Sequence, residues 1–373
     1  MNLPPRYSVR SILTDNNNWV RYKLNHHELD SYVEAEVEKM LGCCNPAKGF
    51  YTGYCKKCER DIVMHLQCNG KVCSRCGTKY VNNWVRRARN KVAQDGHRLV
   101  TLTLPADLRP LLYQRWNLLK ILEDTAYQTL QEVSCKVLRR KNVKLGVLIG
   151  LQTYGQDMRF HPHYHCMMLE RAYCNGEELK FNFIPRNMLR KLWMRLVVNN
   201  LCKADISHED KILVQSMLSK YPNGFITDVG SRSLNKVFVI RYLARYMRHP
   251  AMANSRILFY GRGKVVIKLQ DKQKRNYSKW FTVDEFIFRV IAHISPKQFR
   301  VVRWYGVYSR REARLTREKV KRETMITKSE QKNRIFRCPE CKNILSNVEF
   351  IKGKPPDKRL LLSRLDYYIT LAS

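Results

Sequence analysis

The stretch Phe160-His161-Pro162-His163-Tyr164-His165-Cys166-Met167-Met168-Leu169 decides how this chain is read. Its apolar second half reads as a strand running into a core. Successive side chains on a strand leave opposite faces, so His163 and His165 share one face and Tyr164 takes the other. Two neutral imidazoles on one face suit a divalent cation, and a third, oxygen ligand would leave coordination positions open for a phosphate. His161 lies two residues earlier on the same face, and Gln156 follows the turn at Gly155. Each is a candidate third ligand, with a phosphate contact or a solvated turn residue as the competing reading.

The flanking sequence supplies a mixed domain around that strand. Residues 145–153 read as a preceding strand, and RLVTLTL (98–104) alternates apolar and polar residues until Pro105 stops it. Residues 110–140 and 185–222 carry helical spacing. Residues 237–247 read as a helix that ends before Pro250 and sets Tyr242 and Tyr246 four apart, hence on one face, with Arg241, Arg245 and Arg248 beside them. Tyrosines so spaced usually serve a core or an interface. Beside a metal strand they become candidate nucleophiles, because a phenol oxygen attacking phosphorus conserves the phosphodiester energy for rejoining. Further on, 257–269 reads as a hairpin, 281–294 as a helix and 299–308 as a strand. Upstream, 30–41 is the best helix of the first 50 residues, and 80–93 is a basic helix carrying Arg86 and Arg87.

Cysteines organise the region between those helices. Cys55-x2-Cys58 and Cys73-x2-Cys76 stand 14 residues apart, the spacing of a ribbon in which two knuckles close one tetrahedral, structural Zn²⁺ site. Cys68 and His65 fall inside the loop and compete as ligands. Cys338-x2-Cys341 is half a site and is left unassigned.

Charge indicates the partner. The 373 residues hold 69 Lys and Arg against 32 Asp and Glu, a formal net charge of +37. Such an excess favours a polyanion, since each basic side chain docked on a phosphate releases condensed counterions. No run of about 18 apolar residues suggests a membrane span. Residues 1–10 lack the apolar core of a secretory signal, which leads us to expect a cytoplasmic protein with reduced cysteines.

Taken in order, VCSRC (72–76), RLVTLTLP (98–105), TYGQDMRFHPHYHC (153–166) and RYLARYMRHPAMANSRI (241–257) resemble the rolling-circle insertion-sequence transposases of the HUH endonuclease superfamily, in their two-tyrosine form with an N-terminal zinc-binding domain. The resemblance spans roughly 50–345. It implies an α+β fold, a central antiparallel sheet with flanking helices, plus an N-terminal zinc-ribbon module. It implies that His163 and His165 bind Mg²⁺ or Mn²⁺, that Gln156 sits where relatives often place a third polar ligand, and that Tyr242 and Tyr246 are the paired nucleophiles. The expected division is a helical extension (1–50), a zinc-ribbon DNA-binding module with its basic helix (51–96), a catalytic domain (97–255), a C-terminal extension of it (256–310), and a basic linker with a cysteine tail (311–373). The implied activity is a transposase that nicks and rejoins single-stranded DNA, with Arg86, Arg87, Arg241 and Arg245 on phosphates. A plasmid or viral replication initiator would share this chemistry, whereas a non-catalytic zinc-ribbon DNA-binding protein would leave the histidine strand and the tyrosine helix unexplained.

Overall fold

A computed structural model describes residues 7–93, 95–181, 183–245, 252–271, 273, 275–309 and 336–352. The described strands are β1 (Phe50–Cys55), β2 (Arg60–His65), β3 (His97–Thr103), β4 (Lys144–Tyr154), β5 (Phe160–Cys174), β6 (Glu177–Lys180), β7 (Thr227–Ser233), β8 (Ile257–Gly261), β9 (Lys264–Gln270), β10 (Asn276–Thr282), β11 (Val302–Gly306) and β12 (Ser346–Ile351). The helices are α1 (Val9–Thr14), α2 (Asn18–Asn25), α3 (Ser31–Leu41), α4 (Ser74–Ala88), α5 (Arg109–Leu112), α6 (Trp116–Leu138), α7 (Arg186–Cys202), α8 (His208–Lys220), α9 (Lys236–Ala244) and α10 (Val283–Ile291). The fold is α+β, as expected.

The chain divides into two units, each drawn from separate stretches of the sequence. One comprises Met1–Cys76, Ala253–Ile287 and Thr324–Ser373, the other Gly77–Met252 and Phe288–Glu323. Strands β8, β9 and β10 form their own sheet in the first unit, where the alternation of β9 buries Val265, Ile267 and Leu269. β11 instead pairs with β4, placing Val302 opposite Gly150 at the edge of the second unit's sheet. β10 was not foreseen: its run from Asn276 to Ser278 is exposed on both faces and carries little alternating signal.

The second unit is built on an antiparallel sheet in the order β11-β4-β5-β3-β7, with β6 added to the far end of β5. β5 is thus paired along both edges, which fixes its register and keeps its side chains from slipping to the wrong face. Tyr164, Cys166 and Met168 enter a core shared with Leu119 and Leu122 of α6 and Trp193 and Val197 of α7. Two polar atoms are satisfied inside it. The Tyr164 hydroxyl donates to the Leu119 carbonyl (2.8 Å), and the Trp193 indole donates to the Thr103 carbonyl (2.8 Å). The opposite face is covered by α9 and part of α4, through Val239, Ile240, Leu243, Val81 and Val85 packed on Leu148 and Met167. An added Cβ at Gly150 would already touch Leu243 and Val302, so a longer side chain there would push α9 off the sheet.

Candidate active site and metal centres

β5 carries His163 and His165 on one face, and the register shows what stands beside them. His163 pairs with Gln152 of β4 and Thr103 of β3, while His165 pairs with Gly150 and Thr101. Directly opposed residues point to the same side of a sheet, so Gln152 and Thr101 join the imidazoles on that face. The two rings meet edge to face with centroids 4.7 Å apart. His163 Nδ1 lies 2.8 Å from the backbone carbonyl of His161, which can only accept. This places the proton on Nδ1 and leaves the Nε2 lone pair available, the arrangement that orients a metal-binding histidine. His165 Nε2 lies 3.1 Å from Gln152 Oε1, and its Nδ1 lies 3.2 Å from Thr101 Oγ1.

The surroundings hold these imidazoles neutral. Burial brings His165 down to about 3, helped by the charge His163 would carry. Burial also lowers His163, with Arg109 adding to the effect. His161 falls to about 4, through burial and then Arg109 and His163. A neutral ring keeps a lone pair for a cation at physiological pH. Arg109 was missed in the sequence. It is half-buried, and its Nε is buried without a hydrogen-bond partner among the described residues.

Gln156 is exposed in the turn between β4 and β5. Gln152, passed over in the sequence, is the glutamine whose amide oxygen the register brings to His165. Among the described residues, the groups of three or more His, Cys, Asp or Glu ligand atoms within 4.8 Å of one another are both made of cysteines, so His161 does not close a trio with His163 and His165.

α9 delivers Tyr242 to the same place. Asn235 caps the helix by accepting from the Phe238 amide, and Val239, Ile240 and Leu243 bury its inner face. Tyr242 shares that packing. Its hydroxyl lies 3.4 Å from His165 Nδ1 and its ring meets the imidazole edge to face at 5.3 Å. Arg245 lies over the tyrosine ring at 5.6 Å, and it and Arg241 are exposed, as are Arg86 and Arg87 on α4. Tyr246 lies outside the described residues.

The cysteines regroup. The single site expected from Cys55, Cys58, Cys73 and Cys76 is not formed. Cys73 and Cys76 close instead with Cys43 and Cys68, while Cys55 and Cys58 close with Cys338 and Cys341. The reason is geometric. Cys55 and Cys58 mark the turn of the β1–β2 hairpin, and β2 carries the chain about 17 Å away, at roughly 3.4 Å per residue, before Cys73 is reached. In the first cluster Cys76 Sγ lies 3.6 Å from Cys43 Sγ and 3.5 Å from Cys68 Sγ. Four sulfurs each about 2.3 Å from one tetrahedral zinc stand about 3.8 Å from one another, so these separations suit one ion.

An antiparallel sheet thus presents a His-x-His strand to a tyrosine helix, in a chain that also carries two clusters of four cysteines. Known proteins resemble it in two stretches. Residues 146–315 match a family model described as "Putative transposase", and residues 14–104 match one described as "Transposase zinc-binding domain". Both matched stretches are similar to transposases. It is 24% identical over 330 residues to the transposase for insertion sequence element IS801 of Pseudomonas savastanoi pv. phaseolicola, covering 83% of this chain and 79% of that one. It is also 24% identical over 310 residues to "Putative transposase y4qJ" of Sinorhizobium fredii, covering 78% of each. No solved structure matches it. No helix among the described residues is long and apolar enough to cross a membrane.

Proposed function

We propose that this transposase nicks and rejoins single-stranded DNA through a 5′-phosphotyrosine intermediate, mobilising an insertion sequence by a rolling-circle mechanism. The observation that carries the reading is the Tyr242 hydroxyl, 3.4 Å from the imidazole of His165 on the face that also bears His163. The phenol oxygen of Tyr242 attacks the scissile phosphorus. The new phosphotyrosine bond forms as the bond to the 3′ oxygen breaks, and that oxygen leaves as a hydroxyl carrying the proton the phenol gave up. A later 3′-hydroxyl reverses the exchange and restores the tyrosine. Tyr246 is the natural second nucleophile for the second transfer.

His163 and His165 would hold Mg²⁺ or Mn²⁺ through Nε2, with Gln152 Oε1 the oxygen ligand that the register favours over Gln156. The donors fit: two imidazoles kept neutral by burial, one with its tautomer set by a carbonyl, beside an amide oxygen. A cation bound there supplies Lewis acidity to the phosphate oxygens. His165 Nδ1 then carries the proton and donates to Thr101, which orients the ring. Arg109, Arg241 and Arg245 bind phosphate near the tyrosine, and Arg86 and Arg87 extend the basic track along α4. Cys43, Cys68, Cys73 and Cys76 hold a structural Zn²⁺ within the matched zinc-binding domain. The net charge of +37 supports DNA as the partner.

The test is incubation of labelled single-stranded DNA from an element end with the protein and Mn²⁺, read as a covalent adduct on a denaturing gel. Wild type forms the adduct and Tyr242→Phe loses most of it. His163→Ala combined with His165→Ala abolishes cleavage while retaining DNA binding. Full cleavage by that double histidine variant would sink the mechanism, and tight binding by wild type with no adduct would favour a non-catalytic zinc-ribbon binder. Flanking DNA that holds a replication origin in place of element ends would favour a replication initiator.

A further inference from the structure

We propose that Cys55, Cys58, Cys338 and Cys341 form a second structural zinc site, a clasp by which a C-terminal knuckle completes the N-terminal hairpin. Neither matched family region reaches Cys338 or Cys341. The thiolate pairs are far apart in sequence and close in space. Cys55 Sγ lies 3.4 Å from Cys341 Sγ across 286 residues, and Cys58 Sγ lies 3.9 Å from Cys338 Sγ across 280. A disulfide would need about 2.05 Å, whereas sulfurs sharing one tetrahedral zinc stand about 3.8 Å apart.

The backbone repeats the same device on both sides. The residue after the second cysteine of each pair is left-handed, Glu59 at φ +49° and Lys342 at φ +63°. Residues with a Cβ adopt that conformation only where surrounding structure demands it, and here it turns each Cys-x2-Cys segment back toward a common centre. The second knuckle is closed by the Cys338 amide donating to the Asn343 carbonyl (2.7 Å) and the Lys342 amide donating to the Cys338 carbonyl (3.0 Å). β12 then pairs antiparallel with β1, and Arg60 forms an ion pair with Glu340.

Apolar packing alone is too small to hold this junction. Besides the sulfurs its fully buried members are Ile62 and Leu345, with Met64, Phe336 and Val348 partly buried around them. Small modules of this kind rely on a metal or on disulfides for stability. Charge is consistent with loading. Four thiolates around Zn²⁺ leave a net charge of about −2, and exposed Lys56, Lys57, Arg60, Arg337 and Lys342 lie on or beside the two knuckles.

The test counts thiolate-bound metal in the full-length protein. Zinc is replaced by Co²⁺, whose sulfur-to-metal charge-transfer absorption reports thiolate sites and ignores the histidine pair. We expect the titration to end at two equivalents per chain. The Cys338→Ser/Cys341→Ser and Cys73→Ser/Cys76→Ser variants should each end at one. A wild-type end point of one, or two equivalents in Cys338→Ser/Cys341→Ser, would overturn the proposal. The wild-type titration decides the matter even if a serine variant fails to fold. Because cleavage is not read, failure of the nicking mechanism leaves this result untouched.

Discussion

Replacing Thr101 with valine removes one hydroxyl from the histidine face and little else. Thr101 Oγ1 stands 3.2 Å from His165 Nδ1 on the neighbouring strand, at the directly paired position. Valine has nearly the shape of threonine and suits a strand, so β3 should fold unchanged. What is lost is the acceptor for the His165 Nδ1 proton when a cation sits between Nε2 and Gln152 Oε1. A net hydrogen bond contributes about 0.5–1.5 kcal/mol, and removal of a partner that orients a metal-binding histidine weakens metal affinity about 10- to 100-fold. The lower end of that range matches the upper end of the hydrogen-bond energy, since about 1.4 kcal/mol is a factor of ten. We therefore expect the Mn²⁺ concentration for half-maximal adduct formation to rise about tenfold, with the rate at saturating Mn²⁺ within about twofold of wild type. The assay is adduct yield against Mn²⁺ concentration at fixed DNA, with thermal melts as the folding control. An unchanged half-maximal concentration in a normally folded variant would refute the role given to Thr101 and the tautomer assigned to His165.

Other consequences follow from the same geometry. Gln152→Ala should raise the half-maximal Mn²⁺ concentration in the same assay by at least as much as Thr101→Val, while Gln156→Ala should leave it within about twofold; the reverse order would restore Gln156 as third ligand. His97 is fully buried and burial brings it down to about 4, so its folded-state value lies below that of the unfolded chain. Its contribution is complete above about pH 6.5 and is lost as pH falls through about 4, a span worth roughly 3 kcal/mol. His97→Gln should flatten the fall in melting temperature across that window, and an equally steep fall would disprove the assignment. Gly224 has φ +76°, and an added Cβ would sit 2.3 Å from the backbone carbon of Arg190. Gly224→Ala should therefore cost more than about 2 kcal/mol in a denaturant titration, through both strain and overlap with α7.

The histidine face was legible where local periodicity carries the information. A period of two put His163 and His165 together, and the helical period put Tyr242 and Tyr246 on one face of their helix. Gln152 was not legible, because its place depends on which residue of β4 opposes His163, a property of strand pairing. Proximity to a turn drew attention to Gln156 instead. The cysteines divide in the same way. Each Cys-x2-Cys spacing announces a knuckle, but nothing local says which knuckles share an ion. Cys55 finds its partner 286 residues away because β12 pairs with β1, and Cys73 loses its expected partner because β2 runs on from the hairpin. The interleaving of the two units hid for the same reason. β11 belongs to the sheet of the histidine strand through its pairing with β4, while the three strands before it belong to the other unit.

The central claim is that the oxygen of Tyr242 takes the DNA strand. Mass spectrometry of the trapped peptide–DNA conjugate reads that atom most directly. A conjugate on the peptide bearing Tyr242, absent when His163 and His165 are alanine, is the predicted result. A nicked strand attached to no tyrosine, or attached only through Tyr246, would contradict it.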